Sequence, residues 1–254
     1  MRQPFVAGNW KQNGSLSQNK ELMSGVINGL DSGLTVKVAV CVPYIYISQI
    51  SDMVASSKVS LGSQNVSDQE SGAFTGEIGC SMLKEFACEY AIVGHSERRA
   101  IYGESDDDVA KKFTAAQKGG LIPILCVGEK IEEREANETE KVIARQLREG
   151  LKGLSKAEMD TIIVAYEPVW AIGTGLTASP QQAVDVHAFI RGALKTLFDG
   201  DVAESTWILY GGSVKPDNTQ GLLSNKDIDG ALVGGASMTL EAFKGIIDEA
   251  GTIN

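Results

Sequence analysis

The chain has 254 residues, of which 43% are hydrophobic and 22% are charged, and its formal net charge is −10. This composition is typical of a globular protein with a full core, so it excludes intrinsic disorder. The excess of acidic over basic residues argues against a nucleic-acid partner, because binding nucleic acid requires a basic face.

The sequence contains no targeting or membrane-spanning pattern. Residues 1–8 hold no apolar run long enough for a signal peptide, and no stretch of about 18 apolar residues occurs in the chain. The four cysteines form no C-x-x-C pair, and none stands near a histidine at the spacing of a metal site. We therefore expect buried free thiols, a cytoplasmic protein, no membrane contact and no metal.

Eight short apolar runs alternate with longer amphipathic stretches. Each run is continuous and rich in Val, Ile, Leu and Ala, which is typical of parallel strands buried on both faces. The predicted strands are Phe5–Gly8, Val36–Cys41, Val59–Gly62, Tyr90–Val93, Ile122–Val127, Thr161–Ala165, Thr206–Tyr210 and Gly230–Val233.

The amphipathic stretches predict helices. Ser105 is a good N-cap for one helix, and Ser179 caps another that has Pro180 at its first position. The predicted helices are Ser17–Leu30, Asp106–Lys118, Glu138–Gly150, Pro180–Leu197 and Leu240–Ala250. Strands alternating with helices, without a linker, favour an α/β fold with a single (β/α)₈ barrel over residues 1–254, rather than an open doubly wound sheet.

Polar and glycine-rich segments follow seven of the eight predicted strands. They are Gly8–Lys11, Ser63–Asn65, Gly94–Arg99, Gly128–Glu129, Tyr166–Trp170, Gly211–Ser213 and Gly234–Ser237. In a barrel of this kind the chemistry lies at the C-terminal ends of the strands. A purely structural barrel does not need polar residues at these positions, so we expect an active site there.

Three glycine-containing loops point to a ligand. The loop after the sixth strand joins the rigid segment Pro168–Trp170 to glycines near its tip, as a closing lid requires; an ordinary connecting loop is the alternative. The glycine pairs Gly211–Gly212 and Gly234–Gly235 each precede a helix start, where bare amides can bind phosphate. A tight turn would explain either pair alone, but two pairs in these loops favour phosphate.

Five segments resemble motifs of one protein family, and they occur in the same order as in that family. They are Val6–Lys11, Ile92–Arg99, Ala165–Gly175, Tyr210–Pro216 and Leu232–Ala236. Together they resemble the signatures of the triosephosphate isomerase family. The resemblance implies a TIM barrel that needs no cofactor and interconverts dihydroxyacetone phosphate and D-glyceraldehyde 3-phosphate, in glycolysis and gluconeogenesis. Gln12, Leu176 and Met238–Leu240 depart from the usual pattern, and Leu176 leaves the rate of lid closure open.

The resemblance also implies catalytic roles. Glu167 is the base, His95 is the electrophile that donates to the substrate carbonyl, and Lys11 stabilises the charge of an enediol(ate) intermediate. Asn9 hydrogen-bonds a substrate oxygen or orients Lys11. Because helix N-terminal amides disfavour imidazolium, a neutral His95 is physically sensible at its position.

Further residues are implied to bind phosphate or to support the site. The phosphate is expected on the N–H groups of Gly173, Ser213, Gly234 and Gly235. Ser96 is expected to cap the helix or to contact Glu167, and Glu97 is expected to be a buried carboxylate near Lys11 and His95. Gln64–Asn65 and Gly72–Glu77 resemble the interface loop of the family, which implies a homodimer with Thr75 inserted into the second subunit.

Two other functions fit a barrel of this kind. A metal-dependent pentulose-phosphate epimerase needs several His and Asp ligands at strand ends, and only His95 qualifies here. A non-catalytic phosphosugar-binding protein would lack the base or the histidine, whereas both are present. The other histidine, His187, lies within a predicted helix and is interpreted as a packed or half-exposed residue.

Overall fold

A computed structural model of the chain describes residues 2–31, 33–159, 162–172 and 178–253. Its strands are β1 (Phe5–Asn9), β2 (Lys37–Val42), β3 (Val59–Ser63), β4 (Cys88–Val93), β5 (Ile122–Val127), β6 (Ile163–Tyr166), β7 (Trp207–Tyr210) and β8 (Gly230–Val233). All eight strands begin and end within two residues of their predicted bounds.

The strands form a closed barrel. Each strand lies parallel to the next in the chain, and β8 pairs with β1 to complete the circle, with Phe5 opposite Gly230. A Cβ atom at Gly230 would lie 1.8 Å from the carbonyl oxygen of Phe5, so this closing pair requires glycine. The predicted (β/α)₈ barrel is confirmed.

Helices connect successive strands on the outside of the barrel. Among the described residues they are α1 (Leu16–Gly29), α2 (Ile47–Val54), α3 (Cys80–Glu85), α4 (Ser96–Ile101), α5 (Asp106–Lys118), α6 (Ile131–Glu135), α7 (Thr139–Gly150), α8 (Lys156–Met159), α9 (Pro180–Leu197), α10 (Gly200–Ser205), α11 (Pro216–Leu223) and α12 (Leu240–Gly251), with 3₁₀ turns at Tyr44–Tyr46, Val169–Ala171 and Gly235–Met238. The five predicted helices are present. Ser105 and Ser179 accept the capping hydrogen bonds that were predicted for them.

Alternate side chains of each strand pack on opposite sides of the barrel wall. Phe5 and Ala7 belong to a buried cluster with Ile92, Ile124 and Leu209 from other strands, and this cluster fills the barrel interior. Val6 and its equivalents on other strands pack outward against the helices in the larger core. The strands are therefore buried on both faces, as their continuous apolar sequence predicts.

Two further expectations concern the cysteines and membranes. Cys41, Cys80, Cys88 and Cys126 are all buried and unpaired, which confirms the prediction of free thiols. Within the part of the chain that the structure describes, no helix is both long and apolar enough to cross a bilayer.

Candidate active site

Glu167 follows β6 directly, and only 2% of the residue is exposed. Three donors hold its carboxylate: the backbone N–H of Ser96 at 2.9 Å, the Ser96 hydroxyl at 3.2 Å and Nε2 of His95 at 2.9 Å. Burial raises the pKa of the Glu167 carboxyl, but the His95 and Ser96 donors outweigh burial and hold the pKa below its ordinary value. The carboxylate is therefore ionised at neutral pH and able to accept a proton.

His95 occupies the N-cap position of α4. Its Nδ1 accepts a hydrogen bond from the backbone N–H of Glu97 at 3.2 Å. A ring nitrogen that accepts from an amide carries no proton, so in a neutral ring the proton lies on Nε2 and points at Glu167. Burial lowers the pKa of His95, but contact with the Glu167 carboxylate turns the net direction upward. A substrate oxygen that replaced the carboxylate would remove the main influence that raises this pKa.

The capping arrangement decides between the two roles expected of Ser96. The sequence leaves two roles open for this residue, a helix cap or a contact with Glu167. The N-cap is His95, because its ring reaches the Glu97 amide, whereas Ser96 is the first residue of α4. Ser96 is thereby free to donate both its amide and its hydroxyl to Glu167.

Lys11 has a left-handed backbone, with φ of +52°, which is uncommon for a residue with a side chain. Two neighbours hold this conformation: Asn9 Oδ1 accepts from the Lys11 N–H at 3.0 Å, and Gln64 Nε2 donates to the Lys11 carbonyl at 2.9 Å. The Nζ atom lies 2.6 Å from Oε1 of Glu97. Backbone strain of this kind often marks a functional site, because surrounding contacts must maintain it.

Glu97 is more exposed than predicted. It pairs with Lys11 and lies 3.6 Å from Nδ1 of His95, but its side chain is 41% exposed rather than buried. It borders an open recess of about 270 Å³ that is also lined by Tyr44 and Tyr102. The expected ion pair is therefore present, and within one subunit it faces this open recess.

A cavity of about 400 Å³ opens over the C-terminal ends of the strands. It is lined by seven of the residues predicted for the site: Asn9, Lys11, His95, Glu167, Ser213, Gly234 and Gly235. Gly173, the eighth residue predicted to touch substrate, lies outside the described residues, as does the rest of the lid tip at 173–177. One cavity thus brings together a buried carboxylate, an imidazole N–H and an ammonium group.

The glycine turns after β7 and β8 form one wall of this cavity. Asn218 Nδ2 donates to the carbonyl of Ser213 at 3.1 Å, which fixes the turn before α11. Ser237 donates through its N–H and its hydroxyl to the carbonyl of Gly234, at 2.8 and 2.7 Å. A Cβ atom built at Gly235 would meet no atom of the described residues within 4 Å, so this face of the described structure is open to a ligand. Helix starts with accessible amides are suited to bind phosphate.

Glu129 supports the segment that precedes the predicted lid. It is completely buried after β5, and its Oε1 accepts from Arg134 at 3.0 Å, Tyr166 at 3.1 Å and Trp170 at 3.0 Å. The Arg134 guanidinium also lies 4.9 Å from the centre of a Trp170 ring. Glu167 therefore sits between two side chains, Tyr166 and Trp170, that are held by the same carboxylate.

These features coincide with those of one protein family. The family model described as triosephosphate isomerase matches residues 4–250. The chain belongs to the triosephosphate isomerase family. It is therefore an enzyme, an intramolecular aldose–ketose isomerase.

Three relatives illustrate the extent of the similarity. The chain is 50% identical over 249 residues to the triosephosphate isomerase of Rhodopirellula baltica, with 98% of each chain covered. It is 52% identical over 246 residues to that of Dechloromonas aromatica, with 97% of this chain and 98% of the relative covered. It is 51% identical over 252 residues to that of Hydrogenovibrio crunogenus, with 99% of each chain covered.

The segment that resembles the interface loop of the family lies apart from the 400 Å³ cavity. Residues 68–77, including Thr75, are exposed throughout, and Phe74 within them is 45% exposed. Nothing in the part of the chain described by the structure places three or more His, Cys, Asp or Glu side chains where they could hold a metal ion.

Proposed function

We propose that the chain interconverts dihydroxyacetone phosphate and D-glyceraldehyde 3-phosphate through an enediol(ate) intermediate, without a cofactor. The observation that carries the proposal is the convergence of Glu167, His95 and Lys11 on one cavity, beside two open glycine turns. A proton acceptor, a neutral donor and a cation are what an enolisation requires, and the turns suit the phosphate. The same reaction places the enzyme in glycolysis and gluconeogenesis.

The first step removes a proton from carbon 1 of dihydroxyacetone phosphate. The Glu167 carboxylate takes this proton, the electron pair of the C–H bond forms a C1–C2 double bond, and the carbonyl oxygen on carbon 2 becomes negatively charged. The Nε2–H of His95 donates to this oxygen, and Lys11, with Asn9 beside it, stabilises the charge. Such preorganised donors act most strongly where charge develops during the reaction.

The second step returns the proton on the other carbon. A proton passes from the oxygen on carbon 1 to the oxygen on carbon 2, and Glu167 delivers its own proton to carbon 2, which gives the aldose. The phosphate stays on the amides of Ser213, Gly234 and Gly235, and the Gly173 amide joins them when the lid closes. Exclusion of water by the lid protects the intermediate from loss of phosphate.

Substrate binding has to exchange one hydrogen bond at the base. In the structure, Nε2 of His95 lies 2.9 Å from Oε1 of Glu167, so a substrate carbonyl that takes this donor displaces the carboxylate. The Ser96 donors then hold the carboxylate alone until it turns toward carbon 1. We propose that Ser96 defines the resting position of the base and that Glu97 acts indirectly, through Lys11 and the Nδ1 side of His95.

A coupled assay with purified protein tests the proposal in both directions. We expect rapid interconversion of the two triose phosphates in metal-free buffer. A Glu167→Gln preparation, purified in parallel, controls for isomerase carried over from the expression host, and it should show only background turnover. A parent protein no faster than this control would contradict the proposed function.

We also propose that the chain is a homodimer whose Thr75 inserts into the second subunit. The support is a set of large apolar side chains that are individually exposed, among them Ile45 at 81%, Phe74 at 45%, Met82 at 47%, Ile101 at 70% and Tyr102 at 69%. Tyr102 also lines the recess beside Lys11, and exposed apolar side chains grouped around a recess are typical of a protein–protein contact. The recess of about 270 Å³ beside Lys11 and Glu97 offers a place for the inserted loop.

Sedimentation equilibrium tests the dimer. Thr75→Arg would place a bulky cation opposite Lys11 and Arg98 across the interface, so we expect a molecule of half the mass with reduced turnover. Thr252→Arg, which changes an exposed threonine just after α12, is the matched control and should remain dimeric. A parent protein that sediments as a monomer would refute the dimer but not the isomerase.

Two further proposals concern the domain organisation of the chain and its location in the cell. We propose that residues 1–254 form one catalytic domain and that the enzyme is cytoplasmic. The continuous alternation of strands and helices supports the single domain, and the four free buried thiols suit a reducing compartment.

A further inference from the structure

The peptide groups on both sides of Gly128 are held by one side chain, that of Gln146. Gln146 lies on α7 and is 5% exposed. Its Oε1 accepts from the Gly128 N–H at 2.8 Å, and its Nε2 donates to the Gly128 carbonyl at 3.1 Å. Gly128 is the first residue after β5, so this pair of bonds ties the end of that strand to a helix 18 residues further along the chain.

Gly128 in turn packs directly against the backbone of Glu167. A Cβ atom at Gly128 would lie 1.8 Å from the carbonyl oxygen of Glu167 and 3.2 Å from Cγ2 of Val169. The preceding residue, Val127, accepts a hydrogen bond from the Glu167 N–H at 2.8 Å. The backbone at 127–128 thus forms the surface on which the backbone of Glu167 rests.

The residue after Gly128 extends this support. Glu129 binds the hydroxyl of Tyr166 and the indole N–H of Trp170, which flank Glu167. A shift of Gly128 would therefore reach Glu167 by direct contact and also through the side chains before and after it. Gln146 has no contact with the cavity that holds the substrate site, since it does not line it.

We infer that Gln146 is a positioning residue for the isomerisation: by holding both polar groups of Gly128, it fixes the backbone that carries Glu167. The inference rests on the proposed role of Glu167 as the base. Removing the amide leaves the Gly128 N–H and carbonyl without these partners, so the segment is no longer held in place against Glu167. A misplacement of about 1 Å at a reacting group can cost about a hundredfold in rate.

The expected kinetic signature separates positioning from binding. Lys11, Ser213 and Gly234 follow β1, β7 and β8, whereas Gly128 follows β5, so substrate affinity should change little while proton transfer slows. Gln146→Met keeps the approximate length and volume of the side chain but removes both hydrogen bonds. Gln146→Glu keeps an acceptor for the Gly128 N–H and, when ionised, loses the donor to the carbonyl.

Thr206→Val is the matched control, because it also removes one buried hydrogen-bonding group. Thr206 is 1% exposed, and its hydroxyl donates to the Val202 carbonyl at 2.8 Å. It precedes β7 and therefore lies at the end of the barrel opposite to Glu167. If kcat fell only because the protein was less stable, the kcat of Thr206→Val should fall as much as that of the Gln146 variants.

The experiment measures kcat, KM and the primary deuterium isotope effect with substrate deuterated at the reacting carbon. For Gln146→Met we expect kcat to fall by about ten- to a hundredfold, KM to change by less than about threefold and the isotope effect to rise above that of the parent. The kcat and the isotope effect of Gln146→Glu should lie between those of the parent and those of Gln146→Met. Thr206→Val should keep the kcat and isotope effect of the parent, whatever its urea midpoint.

The results distinguish this inference from the proposed function. If Gln146→Met retained the parent kcat and isotope effect, Gln146 would be a structural residue only, while the parent activity would still support the isomerase. If Gln146→Met did not fold, Gln146→Glu would decide in the same way. A parent without isomerase activity would overturn the proposed function itself.

Discussion

The hydroxyl of Ser96 determines, in part, how readily Glu167 is protonated. Ser96→Ala removes the donor at 3.2 Å and leaves the backbone donor at 2.9 Å and the His95 donor at 2.9 Å. Hydrogen bonds to charged groups contribute about 1.5–3 kcal/mol. The hydrogen bond from the Ser96 hydroxyl is the longest of the three. We therefore take its contribution from the lower end of this range, about 1.5 kcal/mol in favour of the ionised carboxylate.

The sign of the pH effect follows from this loss. The ionised form of Glu167 is the active one, and its donors hold the pKa below the ordinary value, so losing a donor raises the pKa. The acid limb of kcat/KM should therefore move to higher pH. Since about 1.4 kcal/mol corresponds to a factor of ten, the ratio of variant to parent should be about tenfold lower on the acid limb than near pH 8.

The assay is a profile of kcat/KM between about pH 3.5 and pH 9 at constant ionic strength, since kcat/KM reports the free enzyme and the acid limb lies below the ordinary carboxyl pKa of about 4.3. The phosphate of the substrate ionises identically for both proteins, so its contribution cancels in the ratio. Ser105→Ala is the control, because Ser105 makes a capping bond to Asp108 rather than a contact with Glu167. A ratio that stayed flat with pH, or an acid limb that moved to lower pH, would refute the reasoning.

Three further predictions concern the base, the buried histidine and metals. Glu167→Asp withdraws the carboxylate by about 1 Å and should lower kcat by about a hundredfold or more; steady-state kinetics with an unchanged kcat would remove Glu167 from its role. Burial lowers the pKa of His187 to about 3, so the parent should lose about 1.4 kcal/mol of unfolding free energy per pH unit below about 6.5. Urea unfolding near pH 7 and pH 5 should show a smaller loss for His187→Leu, and equal losses would contradict the assignment. Dialysis against a chelator should leave kcat unchanged; activity that fell and returned with a metal ion would count against a metal-free reaction.

The strands and the longer helices could be predicted from local sequence. Val36–Cys41 and Ile122–Val127 are continuous apolar runs, and such runs have few alternatives to a strand buried on both faces. The caps at Ser105 and Ser179 likewise depend on residues three positions apart. Short helices such as α3 and α8 were not predicted, because one or two turns contain too few residues to show an apolar stripe.

The residues of the site could be named from family motifs, but their contacts could not. The exposure of Glu97 depends on which flank of α4 faces the open recess, and no spacing within the motif indicates this. Gln64 supports the Lys11 carbonyl from 53 residues away, and Gln146 supports Gly128 from another helix. Such long-range hydrogen bonds are set by the closed barrel, so they become visible only once the strands are in register.

The most direct test of the account follows the proton during catalysis in D₂O. Dihydroxyacetone phosphate is isomerised by the parent enzyme, the aldehyde product is trapped by a coupled dehydrogenase, and deuterium at carbon 2 is measured by NMR. If Glu167 carries the proton between the two carbons, part of the product should contain solvent deuterium at carbon 2, and Glu167→Gln should form almost none of this product. Product formed by Glu167→Gln at the full parent rate, with or without solvent deuterium at carbon 2, would contradict the role of Glu167.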